Sequence, residues 1–106
     1  MNPLPLPPKP PFWELAAFRA TREEARVLLG QPHYTETGTM RTSGGEEDIW
    51  AYALPSGQRL LIIHHVPYQG ATLCADPPDL GPVLEALHIS PSDSRLVRYP
   101  EPKVLV

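Results

Sequence analysis

The sequence predicts an α+β domain: a single antiparallel sheet of about four strands, helices packed on one face, and the order α-α-β-β-β-β-α. Three observations carry this. Thr21-Arg22-Glu23-Glu24 opens a short helix that Gly30 and Pro32 close. From His33 to Ala75 the chain alternates β-rich runs with turn residues. Leu80, Val83, Leu84 and Leu87 then follow the i, i+3, i+4, i+7 spacing of a helix with one apolar face.

Taken in order, residues 1–11 read as an extended proline-rich arm, because each proline fixes φ and disfavours helix in the residue before it. Pro11 suits a helical first position, and Phe12, Trp13, Leu15, Ala16 and Phe18 offer apolar surface, so a helix is expected to about Ala20. In the next helix Thr21 and Glu24 form a capping box, with Ala25, Leu28 and Leu29 inward and Arg22, Glu23 and Arg26 outward. Gly30 ends it as a left-handed cap.

A first strand is expected from His33 to Thr39, followed by a polar loop from Arg41 to Asp48. The second strand, Ile49 to Leu54, places Trp50, Tyr52 and Leu54 on one face. Pro55-Ser56-Gly57-Gln58 is a tight turn, so the strand Arg59 to Val66 pairs antiparallel with it. That strand is apolar on both sides, so it is expected to be central, or covered on its second face by a helix, a partner or a second copy. After Pro67-Tyr68-Gln69-Gly70 comes a fourth strand, Ala71 to Ala75, and Asp76-Pro77-Pro78-Asp79 opens the last helix. The domain is thus expected to span 12–89, with 90–106 as an extended C-terminal tail.

Length and charge narrow the function. A chain of 106 residues, 42% apolar, suits one compact domain. A net charge of −3 argues against a general nucleic-acid binder, which needs a basic footprint. One cysteine, Cys74, excludes an internal disulfide and a cysteine zinc site. No run approaches the roughly 20 apolar residues of a membrane span, and prolines interrupt any leader-like start. These features favour a cytoplasmic protein with no cofactor and no metal.

The segment Thr21-x-x-Glu24, Leu29-Gly30-Gln31-Pro32, Trp50-Ala51-Tyr52 and Gly57 resembles the helix-turn-sheet unit of small outer-membrane assembly lipoproteins and β-lactamase inhibitor proteins. That resemblance, over residues 21–57, implies a binding module rather than an enzyme. The chain departs from those families in having no export signal or lipid anchor at its start and in adding a C-terminal helix. Gly44-Gly45-Glu46-Glu47 resembles the signature hairpin of diguanylate cyclases, but Asp48 stands where an aromatic or apolar residue is expected, and the further phosphate and metal residues are missing.

Nucleophilic or acid–base chemistry rests on few residues. His64 and His65 are adjacent on a strand, so their side chains point to opposite faces and cannot share one metal ion. Cys74 with either histidine would make a nucleophile pair only if adjacent strands bring them together. His33 begins a strand, and His88 ends a helix, where a charged imidazole is favoured. No Walker loop, dinucleotide fingerprint, serine elbow or zinc-protease helix is present.

The expectation is therefore a small non-enzymatic protein-binding module, of the kind an immunity or inhibitor protein uses to neutralise a bacterial toxin. Its contact set would be Glu46, Glu47 and Asp48 on an acidic loop, facing a basic partner, with the aromatic residues Trp50, Tyr52 and Tyr68. Two alternatives stand beside it: a small enzyme or ligand-binding domain using His64 or His65, and a homodimer packed through strand 59–66.

Overall fold

The computed structural model describes residues 1–37, 45–65 and 69–105. Among them the chain forms β1 (Asn2–Pro3), β2 (Trp13–Phe18), α1 (Arg22–Leu29), β3 (Tyr34–Thr37), β4 (Glu46–Ala53), β5 (Arg59–His65), β6 (Ala71–Asp76), α2 (Leu80–Leu87) and β7 (Leu96–Val104). All seven strands join one sheet in the order β1-β4-β5-β6-β2-β7, with β3 also on β4. Every pairing is antiparallel. The sheet therefore has more strands than the expected four, and the order α-α-β-β-β-β-α is overturned.

The largest change falls on residues 13–18, expected as helix and found as strand β2. Trp13, Leu15, Ala16 and Phe18 of the strand pack into the helix-covered cluster, while Phe12, just before it, joins the cluster on the other face. β2 lies between β6 and β7, where two ladders satisfy its backbone groups. A register shift between Glu14 and Ala16 keeps both Leu15 and Ala16 on the helix-covered side. The C-terminal segment is likewise no free tail. β7 pairs with β2 as the edge strand, the position in a sheet that tolerates Pro100 and Pro102.

Local signals elsewhere hold. Glu24 N–H donates to Thr21 Oγ1 at 3.1 Å, and Thr21 N–H donates to Glu24 Oε1 at 3.0 Å. Gly30 closes the helix as expected but not as a left-handed helical cap: its φ of 83° goes with an extended ψ of −167°, a conformation that costs a side chain strain. The β4–β5 hairpin closes through Leu54 N–H to Gln58 O at 2.8 Å. Buried Gln58 donates from Nε2 to the Pro77 and Asp79 carbonyls, fixing the approach to α2.

The helices cover one face of the sheet, where Val83, Leu84 and Leu87 of α2 pack with Trp50, Leu60, Ile62 and Leu73. The other face holds Phe12, Ile49, Ala51, Leu61, Ile63 and Cys74, with Leu4, Tyr34 and Leu105 packed against them. The apolar second side of β5 is thus covered from within the chain, by residues at both ends of it. The arm is pinned to match: Leu4 N–H bonds Ala51 O, and the Arg59 guanidinium reaches the carbonyls of Lys9 and Pro11. Central β5, between β4 and β6, offers a second copy no free edge. No helix of the described residues is long and apolar enough to cross a membrane.

Candidate protein-docking groove

The residues that sequence reasoning chose for contact are mostly inside the molecule. Glu46, Glu47 and Asp48 belong to strand β4, not to a loop. Asp48 has no exposed side-chain surface, Glu47 is 2% exposed, and Trp50 is fully buried. Glu46 is half-buried and bridges to Arg22 at 3.0 Å. Tyr52 is half-buried, and Tyr68 lies outside the described residues, as does Gly44 of the cyclase-like run.

Asp48 and the two aromatic residues of β4 are each matched by hydrogen-bond partners. Asp48 accepts from Arg22 Nε at 2.8 Å, Arg22 Nη2 at 2.9 Å, Arg26 Nε at 3.0 Å, Arg26 Nη2 at 3.2 Å and Thr35 Oγ1 at 2.9 Å. Burial by itself would raise its pKa, but the Arg22, Arg26 and Thr35 hydrogen bonds outweigh that and hold the carboxyl at about 2. Trp50 Nε1–H donates to Gly30 O at 3.1 Å, and Tyr52 Oη–H to Leu29 O at 3.2 Å. Both aromatics therefore satisfy carbonyls at the C-terminal end of α1, where the helix itself provides no donors.

The histidines divide as adjacent strand residues must. His64 is buried on the helix side, and its Nε2 lies 2.9 Å from Ala20 O; a carbonyl only accepts, so Nε2 carries the proton. His65 points to the other face, with Nε2 3.4 Å from Glu47 Oε2 directly across the ladder. Cys74 pairs in register with Leu61, three positions from His64 and four from His65. That separation is roughly 10 Å or more along the strand, so no cysteine–histidine nucleophile pair forms. No group of three His, Cys, Asp or Glu side chains among the described residues is placed to hold a metal ion. His33 uses Nδ1 to accept from Ala51 N–H at 2.9 Å, acting as a side-chain acceptor for strand β4.

The Asp48 network also sets the rotation of α1. Arg22, Ala25, Arg26 and Leu29 form the i, i+3, i+4, i+7 stripe turned towards the sheet. The two arginines, expected outward, turn in to meet Asp48. Leu28, expected inward, is 45% exposed, and Val27 is 87% exposed. The outward side of the helix therefore carries two pairs one turn apart, Glu23 with Val27 and Glu24 with Leu28.

Beside this ridge lies an open groove of about 450 Å³. Phe18, Ala20, Val27, Leu28 and Ile89 supply apolar lining, and Glu23, Glu24, Asp93, Arg95 and His88 supply polar groups. Arg95 is already engaged: it bonds both Asp93 carboxylate oxygens and lies 4.7 Å over the Phe18 ring. Glu24 and Asp93 are held below the ordinary carboxylate range, Glu24 by its hydrogen bonds with Thr21 and Asp93 by those from Arg95. A second depression of about 530 Å³ lies along the arm beside Arg59, but that guanidinium is committed to Asp76 and to two arm carbonyls.

Val27 belongs to neither the inward nor the outward set expected of α1, so the groove is not among the sites the sequence points to. The available signal was a β-branched residue one turn after Glu23, on a helix side that favours longer polar side chains. Comparisons with protein-family models, curated proteins and solved structures found no match for the chain.

Proposed function

We propose that the protein is a non-enzymatic protein-binding module whose contact surface is the α1 ridge and the groove beside it, rather than the β4 acids. The carrying observation is Val27. A valine 87% exposed on a short helix, beside an exposed leucine and an open apolar groove, makes a patch that association covers. A small ligand resting in the groove leaves the outer side of Val27 wet; a protein surface lapping over the ridge buries it. The histidines lend support by elimination of their sequence-based role: His64 is a core residue bonded to a carbonyl, and His65 is set across from Glu47.

A toxin neutralised by an immunity or inhibitor protein in the cytoplasm is the finer form of the same proposal. The test is a pull-down from native lysate with the wild-type protein and with Val27→Gln, a neutral change that keeps a good helix former. A stoichiometric partner retained by the wild type and lost from the variant supports the reading. An empty bead, or equal retention on both proteins, overturns it.

A further inference from the structure

From the groove's shape and charge we infer that its occupant is a basic amphipathic helix of a protein partner, inserting apolar side chains between α1 and the Phe18–Ile89 floor while Lys or Arg side chains meet Glu23 and Glu24. This rests on the binding-module reading above and adds the chemistry of the partner.

Charge comes first. Three carboxylates line the groove, Glu23, Glu24 and Asp93, against one guanidinium, Arg95, which is bonded to Asp93 and also acts on Glu24, so the acids stay in excess. Arg22 and Arg26, the cations of α1 itself, are turned away to Asp48 on the sheet side. The ridge is therefore negative on its outward side because its positive charges are held underneath. Glu24 has its carboxylate fixed by the capping box, so a cation approaching it finds an ordered charge rather than a mobile one.

Shape comes second. Glu23–Val27 and Glu24–Leu28 repeat an acid and an apolar group one helical turn apart. An occupant helix with apolar residues at i and i+4, flanked by basic ones, presents the matching repeat. An extended segment would instead need a free sheet edge. The nearest edge is β7, where Pro100 and Pro102 have no N–H to offer and only Leu96 to Tyr99 precede them. The eight residues of α1 give a wall about 12 Å long, enough for about two turns of a partner helix.

The probe is a display library of random peptides about three to four turns long, selected on the wild-type protein with counter-selection on Val27→Gln. The expected winners are rich in Lys and Arg with apolar pairs at i, i+4, and gain helicity on binding. A synthesised winner should bind Val27→Gln about tenfold more weakly than wild type. It should bind Glu23→Lys about fivefold more weakly, with a shallower dependence on salt. Groove-dependent winners without basic bias overturn the charge assignment. Winners that bind as extended strands, or no groove-dependent winners at all, overturn the helical occupant. If the pull-down still yields a Val27-dependent partner, that failure belongs to this inference alone; if the pull-down is empty, the binding-module reading has failed instead.

Discussion

Trp50 donates its indole N–H to the carbonyl of Gly30 at 3.1 Å. A residue that the sequence offered as contact surface thus closes the end of a helix twenty positions earlier. Tyr52 does the same for Leu29, so strand β4 holds α1 from below through two aromatic donors. The opposite side of that helix is left exposed, with Val27 and Leu28 on it.

Replacing Trp50 with Phe keeps a ring but removes the donor and leaves space in a fully buried site. We expect a loss of about 2–3 kcal/mol, read as a lower urea midpoint with an unchanged slope. A midpoint equal to wild type would mean that the indole contributes nothing to seating α1.

Asp48 gives the acid sensitivity a direction. Its pKa of about 2 is below the value of 3.8 for an unperturbed carboxyl, so its contribution is complete above the unfolded value and is lost as pH falls through about 2. That contribution is on the order of 2 kcal/mol. Asp48→Asn should remove this part of the acid-induced loss and lower stability at neutral pH by about 2–3 kcal/mol, since Arg22 and Arg26 lose their shared carboxylate. Denaturant titrations of both proteins from pH 7 to pH 2 measure the difference; parallel curves would contradict it.

His33 stands in for a strand. Leu4 N–H pairs with Ala51 O, but Ala51 N–H goes to His33 Nδ1, so an imidazole fills the gap on the β4 edge between β1 and β3. His33→Phe retains a ring beside Tyr52, whose centroid lies 4.7 Å away, and deletes the acceptor. The expected cost is about 1–3 kcal/mol, with faster hydrogen exchange at the Ala51 amide. Unchanged Ala51 protection would show that another group can take over.

Val27 should behave in the opposite way. Because it is exposed, Val27→Lys is expected to change unfolding free energy by no more than about 0.5 kcal/mol, while weakening binding of a basic partner at least tenfold. A clear loss of stability would mean that the residue packs rather than binds. Equal binding would remove the ridge from the interface.

What the sequence by itself determined was local. Thr21, Glu24 and Gly30 carried the start and stop of α1, since caps are made by neighbours in the chain. Pro55 to Gln58 carried the hairpin, and Leu80 to Leu87 carried α2. Only the tertiary structure decided that residues 13–18 are a strand, because a short apolar run fits helix and buried strand alike until β6 and β7 take its backbone bonds. It also brought residues from both chain ends over Leu61 and Ile63, a matter of long-range pairing that no local pattern encodes. The same holds for the site. Arg22 and Arg26 read as solvent-facing until Asp48, more than twenty residues on, is folded beneath them. A buried carboxylate needs cations, so it draws both arginines inward, turns the helix about its axis, and leaves Val27 and Leu28 facing out.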